Sequence, residues 1–153
     1  MKKSLLFLAF ALFLGFSVQA QSQRLSASAD VQGSQDHAIF TGRPANFFIY
    51  NQVVNNNAQI EYNLNQLHDL TGTRKIYNYA LAPNLSPVNE GQLVAQYASM
   101  ISAQGGTIYE NSASGGKMEL IRNGVNYFVM VTPSGGGTQY SVTVFEYNPA
   151  LQH

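Results

Sequence analysis

The stretch from Lys117 to Tyr147, KMELIRNGVNYFVMVTPSGGGTQYSVTVFEY, reads as three strands joined by two glycine-containing turns. Asn123-Gly124 separates two β-rich runs. A type I′ turn needs φ > 0 at both central residues, which Asn tolerates and Gly accepts freely, so this pair predicts a tight hairpin. After it, Tyr127, Val129 and Val131 share one face, with Phe128 and Met130 on the other. A strand apolar on both sides belongs in the middle of a sheet. Pro133 cannot donate to a ladder and predicts the strand's end, with Ser134 to Gly137 as a flexible connection. The last strand puts Tyr140, Val142 and Val144 on one face. Gln139, Ser141 and Thr143 lie on the other, where Phe145 and Tyr147 interrupt the polar pattern near the end. One face is therefore buried and the other wet or partly covered.

Working back along the chain, Thr107 to Glu110 is a short strand and Asn111 to Gly116 a loop. Leu93, Val94, Tyr97 and Met100-Ile101 recur at helical spacing. Ser86-Pro87 followed by Glu90 predicts the start of that helix, and Gly105-Gly106 its end. Arg74 to Ala82 alternates, with Tyr77, Tyr79 and Leu81 on one face. Further back, Asn46 to Val54 is a strand, Asn55-Asn56-Asn57 a turn, and Ile60, Tyr62 and Leu64 mark a half-buried strand, with Gln66 to Thr73 as a loop. The order is three strands, one helix, then four strands. This predicts an α+β domain: a mainly antiparallel sheet of six to seven strands with one amphipathic helix packed on it. The reading divides the chain into 1–20, a signal peptide; 21–45, an N-terminal arm and loop; 46–148, the domain; and 149–153, a tail. In the arm, Ile39-Phe40 is the apolar pair able to tuck against the core.

The N-terminal segment has the three parts of a secretory signal: basic Lys2-Lys3, an apolar run from Leu5 to Phe16, and small residues at Val18 and Ala20. The run is short for a membrane span, and no charged stop-transfer segment follows, so no membrane insertion is expected after cleavage. The protein is expected to be periplasmic or secreted. Removing Lys2 and Lys3 from the eight Lys/Arg leaves six against eight Asp/Glu. Nucleic-acid and anionic membrane partners, which call for clustered Lys/Arg, are not expected. The chain has no cysteine, which removes thiol catalysis, thiolate metal sites and disulfides.

The motifs that carry chemistry elsewhere have plainer readings here. Ser114-Gly115-Gly116-Lys117 has the S-x-x-K spacing of an acylated serine, but it lies in a glycine-rich loop without the partner motifs. The same loop lacks the full phosphate-binding spacing, and Met118 replaces the hydroxyl that would hold Mg²⁺. His37, His68 and His153 have no ligand spacing, and the pairs Asp36-His37 and His68-Asp69 read as surface histidines beside turn carboxylates. Glu61, Glu110, Glu119 and Glu146 sit on expected strands. Glu61 and Glu119 occupy polar slots. Glu146 shares a face with Tyr140, Val142 and Val144, and is the carboxylate to examine for burial or pairing. Tyr77, Tyr79, Tyr97, Tyr127 and Tyr140 are expected to line the core with hydroxyls at its rim. No catalytic, cofactor-binding or metal residue is assigned. The candidate interaction face is Ser141, Thr143, Phe145 and Tyr147.

The segments GSQDHAIFTGRPANFFIYN, RKIYNYALAPN before the helix, and GVNYFVMVTPSGGGTQYSVTVFEY together resemble an uncharacterised bacterial envelope domain. That domain often stands ahead of an OmpA-like peptidoglycan-binding domain. Gly33-Ser34, Asp36-His37, Tyr50 and Val142 to Glu146 carry the likeness. Ala38 stands where the pattern has Pro, and no OmpA-like part is expected after Tyr147. The family brings no established activity, so no residue role is carried over. The resemblance and the export signal imply a non-catalytic binding or interaction domain whose partner is an envelope protein or a cell-wall component. A small secreted hydrolase of wall or glycan, and a structural subunit pairing through a strand edge, are the alternatives.

Overall fold

The computed structural model describes residues 29–61 and 69–151. The signal-peptide segment, His68, His153, Tyr62 and Leu64 lie outside them. Six strands and one helix follow in the order β1 (Phe47–Glu61), β2 (Asp69–Leu81), α1 (Glu90–Ala103), β3 (Thr107–Ser112), β4 (Gly115–Arg122), β5 (Val125–Ser134) and β6 (Gln139–Tyr147). A short 3₁₀ turn, Pro149–Leu151, closes the described chain. The sheet order is β1-β2-β6-β5-β4-β3, and every pairing is antiparallel. The fold is α+β, a hairpin joined through β2·β6 to a four-strand meander. The helix carries the chain from β2, one strand in from one edge, to β3 at the opposite edge.

The Asn123-Gly124 turn forms as its residues dictate, with φ of 54° and 76°. β5 runs on through Pro133, which pairs in register with Tyr140. This position lies past the last β4 pair, Gly116↔Val131, where one side of β5 has no neighbour and a missing N–H is tolerated. The expected turn at Asn55-Asn56-Asn57 is instead part of β1. The register passes from Asn55↔Arg74 to Ala58↔Gly72, three residues against two, so a bulge absorbs the asparagines. The Asn57 N–H donates to Asn55 Oδ1 (3.0 Å), a side-chain bond suited to that bend. The two expected strands on either side merge into one, which accounts for six strands. Residues Asp69 to Thr73, expected in a loop, belong to β2.

The helix starts later than Ser86-Pro87 predicts. Asn89 is its cap, accepting from the Gln92 N–H through Oδ1 (3.2 Å). The segment before it is held instead on the β5–β6 turn, where the Val88 N–H donates to Gly137 O (3.1 Å). Gly137 has φ +88°, and a methyl group there would overlap Val88 O, so only glycine fits this close approach. Gly105, at φ +82°, follows the helix end as expected.

Both layers of the core follow the strand alternation. Leu93, Val94, Tyr97 and Ile101 of α1 pack with Met118, Leu120, Val129 and Val131, and the helix lies against β3, β4 and β5. The other half of that face is covered by the N-terminal arm. Ile39 and Phe40 are buried there, with the Phe40 ring edge-on to Tyr97 at 5.0 Å. Burial of two such side chains contributes about 1.5–3 kcal/mol each. Gln104 Nε2 donates to Ile39 O (2.7 Å), tying the arm to the helix end.

Candidate functional site

The arm that completes the core also brings its polar residues onto the sheet. Asp30, Asp36 and Arg43 form one clamp. The Arg43 guanidinium spans both oxygens of Asp30 (2.6 and 2.7 Å) and donates through Nε to Asp36 (2.8 Å). Asp30 also accepts from the Ile49 N–H (2.8 Å), and Asp36 from the Tyr79 hydroxyl (2.7 Å). Val31 donates its backbone N–H to Ile49 O (2.7 Å), so the arm lies along the edge of β1. The guanidinium sits over the Tyr79 ring, 5.4 Å from its centroid. The Arg43 hydrogen bonds hold the Asp30 carboxyl below its usual range.

His37 departs from the expected surface position. It is 7% exposed, and its ring stands edge-on to Phe40, Tyr77 and Tyr127. The local turn explains this: Phe40 N–H donates to His37 O (3.0 Å), which turns the chain so that His37 and Ile39-Phe40 face the sheet together. Nδ1 accepts from the Ile39 N–H (3.3 Å), and Nε2 lies 2.5 Å from Glu146 Oε1. A backbone N–H only donates, so Nδ1 is unprotonated and Nε2–H donates to the carboxylate. Burial lowers the imidazole pKa from its ordinary 6.5, and this outweighs the help from Glu146. The same oxygen of Glu146 accepts from Lys75 Nζ (2.5 Å). Burial pushes the Glu146 carboxyl up, but the bonds from His37 and Lys75 prevail and leave it below its ordinary 4.5. The trio is thus a neutral imidazole and a lysine cation sharing one carboxylate oxygen.

Around the trio lies an open pocket of about 320 Å³. Gln35, Asp36 and His37 of the arm form one wall, Gln52 of β1 with Lys75 and Tyr77 of β2 another, and Tyr127 and Glu146 close it. Burial raises the Tyr77 pKa to about 12, with Glu146 and Asp36 adding to the effect. Beneath the pocket the tyrosines stack: Tyr79 on Tyr140 at 4.5 Å, with Tyr140 and Tyr97 hydroxyls 3.1 Å apart. Burial raises all three above the ordinary tyrosine range. These residues line the core as their spacing predicts, but the Tyr97 and Tyr140 hydroxyls are buried against each other rather than at its rim. A second hollow, about 370 Å³, lies where the hairpin leaves the sheet between Asn56, Gly72 and Tyr147. Glu146 and Tyr147 line it with Thr71, Thr73 and Asn148, whereas the first pocket adds Asp36, His37 and Lys75 to Glu146.

Glu146 is therefore the strand carboxylate that pairs with both the arm and β2. Glu119 is on the other face with Tyr109 (2.6 Å) and Asn126 (3.3 Å), and Glu110 pairs across strands with Lys117 (3.0 Å). Glu61 stands in register with Asp69 near the far end of the hairpin. Ser114 sits in the β3–β4 turn, its hydroxyl 2.8 Å from that of Ser112. The S-x-x-K spacing is hairpin geometry.

The face of Ser141, Thr143, Phe145 and Tyr147 is the one away from the helix and arm. Phe145 is fully buried, packed with Phe128 and with Ala58 of β1. At Gly72 of β2 a methyl group would overlap Glu146 O. Tyr147 is half-buried and receives Asn126 Nδ2 on its hydroxyl (3.1 Å), and Ser141 and Thr143 are half-buried.

Arg43, Asp30, Gln52 and Lys75 are site residues that the pattern reading passed over. Lys75 has the parity of Tyr77, Tyr79 and Leu81, and a lone cation on an apolar face is the signal that marks it. Gly33 (φ +82°) and Ser34, bonded to Val31 O (2.7 Å), shape the turn that presents Asp36 and His37. Tyr50 falls at the β1 irregularity between Ile49 and Asn51. Among the described residues no group of three His, Cys, Asp or Glu is placed to hold a metal ion, and no helix is long and apolar enough to cross a membrane. No protein-family model matches the chain, and no curated protein matches it.

Proposed function

We propose that the chain is an exported, non-catalytic binding domain of the bacterial cell envelope, and that it binds in the pocket between the arm and the sheet. The export signal in the first twenty residues and the envelope-domain resemblance support the location. One observation carries the binding reading: both ring nitrogens of His37 are engaged within the protein, by the Ile39 N–H and by Glu146. A general base needs a free nitrogen within reach of the proton it abstracts. Asp36, the other carboxylate of the pocket, has one oxygen on Arg43 and the other on Tyr79. The polar groups hold one another in place and present hydrogen bonds at an open surface, which suits recognition better than proton transfer.

A photo-crosslinking residue at Gln52 in the exporting cell tests this. The expected result is a discrete adduct that is absent when the same residue replaces Gln96, exposed on the outer side of α1. Equal labelling at both positions, or none at Gln52, would contradict it. A second reading, pairing through the edge strand, draws on β1. That strand carries no charge from Phe47 to Ile60 and exposes Val53 and Val54, without the lysines or prolines that usually protect an edge. A concentration-dependent dimer abolished by Val53→Lys would favour it.

A further inference from the structure

Several hydrogen-bonding groups at the pocket are left over once its internal pairings are made. Tyr77 is 2% exposed, yet its hydroxyl makes no hydrogen bond among the described residues, while its ring is held against His37 and Tyr79. Glu146 uses Oε1 for both His37 and Lys75, which leaves Oε2. Lys75 has given one of its three N–H groups, and the Gln52 amide adds two donors and one acceptor. A buried hydroxyl without a partner costs about 1–3 kcal/mol, so this one calls for an explanation that packing alone does not give.

The chemistry of these leftovers is mixed in sign. Each charge already has a partner, Lys75 with Glu146 and Asp36 with Arg43, which also holds Asp30. A charged ligand gains little, because it must compete with a cation or anion that is already in place. What remains is a set of donors and acceptors side by side. A hydroxyl group both donates and accepts, and two on adjacent carbons match a carboxylate oxygen lying beside an ammonium group. Tyr127, half-buried at the wall, offers aromatic surface to the apolar face of a ring. Ala38 is the one aliphatic side chain in the lining, which leaves no hole for an apolar peptide side chain.

We infer that the pocket takes a neutral saccharide unit, with Glu146 and Lys75 bridging a vicinal diol and the Tyr77 hydroxyl bonding to a further oxygen. The inference rests on the reading of this pocket as a binding site. A volume of about 320 Å³ is at the lower end of the range for ligand pockets and suits one sugar unit.

Amide-shift titration of isotope-labelled protein tests it. The panel contains glucose, galactose, N-acetylglucosamine and its disaccharide, with acetate, ethylammonium and a blocked dipeptide as comparators. The expected result is saturable shifts at Gln52, Lys75, Tyr77 and Glu146 with at least one sugar. Tyr77→Phe should then weaken Kd about five-fold, the loss of one neutral hydrogen bond. Its Tm should be unchanged or slightly raised, because the substitution removes only a hydroxyl without a hydrogen bond among the described residues. A purely structural Tyr77 would leave sugar binding unaltered in this variant, which would overturn its assigned contact. Shifts with acetate, ethylammonium or the dipeptide alone would overturn the saccharide assignment and leave the pocket a binding site. Absence of pocket shifts with every probe would overturn the saccharide inference, and the Gln52 adduct in cells decides the binding reading separately.

Discussion

Removing Glu146 strands its partners unequally. His37 Nε2–H is buried, so Glu146→Ala removes the protein acceptor of a buried donor, at about 1–3 kcal/mol. Lys75 is 29% exposed at its side chain and recovers hydration, so loss of that pair adds at most about 1 kcal/mol. The variant should lose about 2–3 kcal/mol in all. At roughly 4 °C per kcal/mol for a domain of this size, Tm falls by about 10 °C. His37→Ala removes a buried ring with three edge-on aromatic neighbours and should cost about 2–4 kcal/mol. In the double variant no imidazole donor remains to be stranded. Its cost should therefore fall short of the sum by about 1–2 kcal/mol. Urea unfolding of the four proteins at pH 7.5 measures the cycle, and Lys75→Met, expected to cost under about 1 kcal/mol, serves as the exposed comparison. Additivity within about 0.5 kcal/mol would show that His37 and Glu146 do not act as a pair.

Acid should weaken the fold in a defined order. The folded state holds the His37 proton less tightly than the unfolded chain, so stability falls as pH drops below about 6.5, by up to about 1.4 kcal/mol per pH unit. The Glu146 share is fully present above the unfolded carboxyl value near 4.5 and is lost at lower pH, as the folded carboxyl takes up its proton. Chemical denaturation against pH should show the upper limb flattened in His37→Gln. Gly137→Ala, which meets Val88 O at a φ of +88°, should cost over about 2 kcal/mol by the same measurement. Asn89→Ala should cost about 1 kcal/mol through loss of the helix cap, whereas Ser86→Ala should be close to neutral; thermal melts distinguish the two.

Much of the sheet was legible because its signals are local. Asn123-Gly124 and the alternation of Tyr140, Val142 and Val144 need only their neighbours to be read. The asparagine run was not legible, because Asn tolerates a turn and a bulge alike, and the choice depends on which strand stands opposite. The cap moved from Ser86 to Asn89 for a similar reason: Gly137, far along the chain, holds Val88 outside the helix. For the site, the alternation placed Glu146 on the buried face, and that was enough to single it out. The burial of His37 is not legible, because a histidine beside an aspartate in a polar arm carries no periodicity. Its burial comes from a turn that packs Ile39-Phe40 under the helix, and its partner lies at the other end of the chain. The clamp of Asp30, Asp36 and Arg43 was hidden by the same distance.

The join between the arm and the last strand rests on the state of one ring. Long-range nitrogen–proton correlation spectra of isotope-labelled protein at pH 7 report the protonation of both His37 nitrogens. The structure predicts a neutral imidazole with the proton on Nε2, hydrogen-bonded to Glu146, and an unprotonated Nδ1, with the Nε2 signal shifting in Glu146→Gln. A charged imidazolium at pH 7, or a proton on Nδ1, would contradict the pairing that joins the arm to the last strand and frames the pocket.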